Sequence, residues 1–191
     1  MYEQRYRSDN RNISSSRQSG FTVIEVVVAI ILVGIVSAVA MSRMLRSDTY
    51  DPVVTRDQVI SMSRSAQQKA IGRKDVALYI QPFGDELEIR IQDESGVVQR
   101  SRNSIRNVIL TADVNNVASC ANPAGTAIVS NATPLVIQYD LLGNILRGGV
   151  SGTPGYPQDI TSAVRLCVNG DPVMSICWSP SGYAYTGNCI P

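Results

Sequence analysis

The chain has 191 residues, with 17 Lys and Arg against 16 Asp and Glu, four cysteines and no histidine. That length suits one domain with an appendage, and a formal charge of +1 leaves no electrostatic footprint for nucleic acid. Without histidine there is no Ser-His-Asp or Cys-His nucleophile pair and no zinc site that needs imidazole.

Residues 1–20 are polar, with Arg5, Arg7, Arg11 and Arg17 against Glu3 and Asp9. Residues 26–42 then run without a charge, which as a helix covers about 26 Å, and residues 21–24 extend the run to the ~20 needed to cross a bilayer. Gly34 and Ser37 are costly in an isolated soluble helix, but small residues are common where membrane helices pack closely. The arginines before the span tend to stay in the cytoplasm, so the body is expected on the other side; Arg43 and Arg46 weaken that bias without reversing it. A plain signal anchor shares these features, as does a secretory signal peptide, since Ala38-Val39-Ala40 imitates a cleavage site. Neither accounts for Glu25, a carboxylate at the start of an apolar helix, where burial costs several kcal/mol unless it is paired, on the order of 3 or more.

Arg17-Gln18-Ser19-Gly20-Phe21-Thr22-Val23-Ile24-Glu25 and the apolar run behind it resemble the processing site of type IV prepilins and type II secretion pseudopilins. The resemblance implies that prepilin peptidase cuts after Gly20, that Phe21 becomes the mature N-terminus and is N-methylated, and that Glu25 sets assembly register against a neighbouring subunit. Phe21 and Glu25 stand four apart on one helix face, about 6 Å along the axis. The ammonium released at Phe21 can neutralise Glu25 in an apolar layer, which favours register more than strength.

The helical spacing resumes after an interruption at Pro52, through Val59, Met62 or Ser63, Ala66 and Ala70, with Gly72 as a C-terminal stop. A continuous helix over residues 21–71 is expected to be about 76 Å long. Where many pilins carry a proline within the span, this chain has Ser42.

Eleven of the 14 glycines and eight of the nine prolines fall in residues 73–191, which suits short strands and turns. Residues 76–80 make one strand candidate; Leu87, Ile89 and Ile91 alternate with Glu88 and Arg90, and Leu135, Ile137 and Tyr139 alternate likewise. Residues 164–168 and 173–178 flank Asn169-Gly170-Asp171-Pro172 as a hairpin. The fold class expected is α+β and type IV pilin-like, a long N-terminal membrane-spanning helix packed on an antiparallel head. Its parts are a leader (1–20), the helix (21–72, of which 21–42 spans and assembles) and a strand-rich head (73–191). Arg64-Ser65-Ala66-Gln67-Gln68-Lys69-Ala70-Ile71 and the strand after it resemble the minor pseudopilin H type and the minor pilins of mannose-sensitive haemagglutinin (MSHA) systems. Cys177-Trp178, Ser181-Gly182-Tyr183 and Cys189 also resemble the latter.

Cys120, Cys167, Cys177 and Cys189 allow three pairings, and an oxidising compartment favours two disulfides without choosing among them. Metal binding is not expected, because no C-x-x-C accompanies the missing histidine. Arg100, Arg102 and Arg106 form a basic stretch, but no aromatic lies between Phe83 and Tyr139 to stack bases, so a solvated strand or loop is the better reading. Asp85, Glu86, Glu88, Asp93 and Glu94 lack calcium-loop spacing and read as a solvated acidic turn. Residues 143–158, rich in glycine and proline, read as a long exposed loop and a contact surface. No catalytic fingerprint occurs, and Lys69 and Lys74 are the only lysines.

The resemblance thus implies a minor pilin, expected to be non-enzymatic and without a cofactor. Its expected partners are prepilin peptidase, the inner membrane and other pilin or pseudopilin subunits. It would lie in the bacterial inner membrane with its head in the periplasm, before assembly for priming, tip display or adhesion. A type II secretion pseudopilin is the rival inside the family, and a single-span anchored periplasmic sensory or enzymatic domain the rival outside it.

Overall fold

The computed structural model describes residues 21–44, 51–115, 120 and 126–190. The leader therefore lies outside the described residues, Gly20 included, as does the stretch that decides whether the helix is continuous. The chain divides into two compact units, one containing α1 (Val23–Met44) and the other everything from α2 (Asp51–Ala70) onward.

α2 forms because one of its faces is apolar or small. Thr55, Val59, Met62, Ser63, Ala66 and Ala70 recur three or four apart and are buried. The small residues let two sheets approach the helix closely, and the Ser63 hydroxyl returns its hydrogen bond to the Val59 carbonyl at 2.6 Å. Pro52 stands in the first turn of α2, where its missing N–H has no helical partner to lose. Gly72 ends the helix with φ +76°, and its N–H donates to the Leu141 carbonyl.

Eleven strands follow: β1 (Ala77–Phe83), β2 (Glu86–Asp93), β3 (Gly96–Ser104), β4 (Leu110–Val114), β5 (Ala127–Val129), β6 (Leu135–Tyr139), β7 (Ile145–Val150), β8 (Gln158–Asp159), β9 (Val164–Val168), β10 (Asp171–Trp178) and β11 (Ala184–Thr186). They form a six-stranded sheet of order β3-β2-β1-β6-β7-β8 and a five-stranded sheet of order β11-β10-β9-β4-β5, every pairing antiparallel. α2 fills the wedge between them, touching β1, β2 and β3 on one side and β10 and β11 on the other, while β4 and β5 meet β7 and β1 directly. Leu78, Ile80, Leu87, Ile89, Ile91, Leu135, Ile137, Leu166, Ile176 and Trp178 are fully buried in that single core. Burying each such side chain stabilises by about 1.5–3 kcal/mol. An α+β head of antiparallel sheets behind an N-terminal apolar helix is the expected arrangement.

Two local readings change. Residues 143–158 are not a long loop: Ile145–Val150 form β7, paired along β6, and Gly148, Gly149 and Val150 are buried. A side chain at Gly148 would stand 2.9 Å from the Val136 carbonyl, so this glycine permits close strand approach. The hairpin turn is shorter than expected. Asn169 and Gly170, with φ of 53° and 69°, connect Val168 directly to Asp171, and an irregularity before Ile176 absorbs Pro172.

Candidate functional site

α1 is 22 residues long, about 33 Å of helix. Every described side chain from Phe21 to Met41 is exposed within its unit. Its length and apolar composition over Val23–Met41 are those of a membrane-crossing helix, features that signal sequences share. Among the described residues, nothing lies within 4 Å of where a Gly34 side chain would point. The helix thus carries a residue that lowers its own propensity by about 1 kcal/mol without any packing reason among the described residues. A small residue on an apolar helix suits close contact with another helix.

Phe21 and Thr22 precede the helix, whose first turn is capped by Thr22. Its Oγ1 accepts from the Glu25 N–H at 3.3 Å, and its carbonyl accepts from Glu25 and Val26. Thr22 and Glu25 have the spacing of a capping box, a signal readable in the sequence itself. Glu25 also sits in the first turn, at the electropositive end of the helix. Phe21, Glu25, Ala29 and Val33 repeat along one side of the helix and, with Val26 and Ile30, line a shallow groove. One polar end and one continuous apolar stripe are therefore presented outward together.

A family model for the prokaryotic N-terminal methylation motif matches residues 15–41. The chain carries a type IV prepilin-like signal. The motif implies processing by prepilin peptidase and assembly partners of the pilin family, and with the apolar helix it fits a membrane-anchored pilin precursor. No curated protein and no solved structure matches the chain.

The other singled-out residues of this prepilin-like chain lie in the head. Cys120 is joined to Cys167 of β9, and Cys177 of β10 to Cys189. The second bridge holds the segment after β11 against β10, where Arg165 Nε also lies 3.1 Å from Cys189 Sγ. The turn between β10 and β11 is a structural joint. Pro180 accepts from the Ile145 N–H, Ser181 from the Gln67 side chain, and a side chain at Gly182 would collide with the Gly143 carbonyl.

The acidic turn is only partly solvated, because Glu88 does not belong to it. Asp85 and Glu86 are exposed, and Asp93 accepts from the Ser95 N–H and hydroxyl to close the β2–β3 turn. Glu88 projects from the outer face of β2 and is covered by arginines: Arg102 Nη2 at 2.6 Å, Arg90 Nη1 at 3.3 Å and Arg100 Nε at 3.7 Å. Desolvation raises its pKa, but hydrogen bonds and charge from Arg102, Arg100 and Arg90 outweigh that and hold the carboxyl below its ordinary range. Arg100 and Arg102 belong to β3, whereas Arg106 lies beyond it, its N–H bound to Asp51 of α2. Among the described residues, no three His, Cys, Asp or Glu converge in a way that could hold a metal ion.

Proposed function

We propose that the chain is a minor type IV pilin, of the MSHA-like kind. It is inserted by α1 in the bacterial inner membrane with its head in the periplasm, cut after Gly20, methylated at Phe21 and incorporated into a pilus. The observation that carries this reading is the methylation motif at residues 15–41, which covers Phe21, Thr22 and Glu25 and the exposed apolar helix α1 to Met41. Glu25 pairs with the Phe21 ammonium of a neighbouring subunit and sets register, and Gly34 allows the helices to approach. The head is a structural element for priming, tip display or adhesion and performs no catalysis. Removing residues 1–20 leaves 171 residues with 13 basic and 14 acidic side chains, so the formal +1 becomes −1.

N-terminal sequencing and mass analysis of the protein purified from membranes test this directly. The expected product begins at N-methylated Phe21. A start after Ala40, or an intact Met1, rejects it in favour of a signal peptide or a plain anchor. Immunolabelling on surface fibres is the result expected of a pilus subunit; confinement to the periplasm would instead indicate a type II secretion pseudopilin of the H type, which the stretch from Arg64 to Ile71 also resembles.

A further inference from the structure

We propose that the free edge of β3 receives an extended acidic segment of a different protein chain as an added strand. The other sheet edges are short: β8 has two residues, β5 and β11 three each, whereas β3 has nine. In an antiparallel pair, alternate residues turn their N–H and C=O away from the partner strand. Along β3 these outward groups meet no hydrogen-bond partner among the described residues, while Ile105 and Arg106 just beyond are tied down by Asp85 and Asp51.

The edge is held in shape from behind. Gln99 accepts from Ser65 at 2.9 Å, Ser101 accepts from Gln58 at 2.6 Å, and Asn103 donates to Gln58, so the inward side chains of β3 are pinned to α2. The bulge opposite Ile91 and Gln92 leaves residues 99–104 as a regular run against β2. A strand already ordered loses little freedom when another pairs with it.

Charge selects the occupant. On the outer face three guanidinium groups share one carboxylate, Glu88, and Glu86 makes no ion pair with any of them. Arg100 and Arg102 are about half exposed, at 47% and 55% of the side chain, and Arg100 is the least engaged. A second copy paired antiparallel about Ser101 would set Arg100 against Arg102 twice, a like-charge cross-strand pair. The same arginines that block self-pairing admit a strand with Asp or Glu at alternate positions.

The test uses the full chain in neutral detergent and labelled peptides as long as β3, alternating threonine with glutamate or with lysine. Fluorescence anisotropy is expected to show binding of the glutamate peptide and none of the lysine peptide. Hydrogen exchange is expected to slow at alternate amides within residues 99–104. Methylating the peptide backbone nitrogens on one edge should abolish binding with charge unchanged, and Arg100→Gln should weaken it about tenfold. Equal binding of both charges, undiminished binding of the methylated peptide, no binding at all, or self-association of the protein with protection of residues 99–104 would each overturn the proposal.

Discussion

Glu25 serves both the first turn of α1 and the charge balance of its surface. Its position at the third residue of α1 makes it part of the Thr22 cap and places it at the electropositive helix end. Its charge on an otherwise apolar surface still demands a cation, and α1 has none on the described face. Glu25→Ala is therefore expected to leave cleavage after Gly20 intact while reducing incorporation into fibres by about tenfold or more. Glu25→Gln, which keeps the length of the side chain without its charge, should be equally defective; normal fibre content by immunoblot would show that the charge is not needed. Tyr139 poses the opposite case, a buried hydroxyl with no hydrogen-bond partner among the described residues. Burial raises its pKa, so its contribution is intact below the ordinary tyrosine value of about 10 and is lost as pH rises above it. Tyr139→Phe should melt within about 1 kcal/mol of the parent at neutral pH and fall less steeply in alkali. The alternation of Leu135, Ile137 and Tyr139 already assigned this side chain inward; that its hydroxyl lacks a partner depends on everything packed around it.

At the scale of elements, period-two alternation located β2 and β6, the apolar stretch at 76–80 marked β1, and small-residue spacing located the buried face of α2. β7 escaped because its glycines imitate a loop. Gly148 is demanded by the neighbouring carbonyl of Val136, a residue twelve positions away along the chain. β3 was ambiguous for a related reason, since an edge strand with polar side chains on both faces shows no apolar period. Gly182 is the sharpest case of a contact between elements. With φ +84° and the Gly143 carbonyl against it, it joins the β10–β11 turn to the β6–β7 turn. Gly182→Ala is expected to destabilise the head by about 2–4 kcal/mol, read as a lowered thermal midpoint by circular dichroism, while leader cleavage proceeds normally.

For the whole molecule, the head is closed by two crosslinks that hold unequal lengths of chain, with separations of 47 and 12 residues. Chain-entropy reasoning assigns them about 4 and about 3 kcal/mol respectively. Replacing Cys120 and Cys167 together by serine should therefore lower the melting temperature more than replacing Cys177 and Cys189. Equal shifts on calorimetry would mean that native contacts around each bridge outweigh loop closure. What the sequence determined unaided is local and linear: the prepilin-like signal, the exposed apolar helix and its cap, since each depends on residues a few positions apart. The tertiary structure alone decided which cysteines pair, that β7 is a strand, that α2 lies between two sheets, and that Glu88 is shared by three arginines from two strands. Those features join residues distant in the chain, and their energies exist only once register and packing bring the partners together.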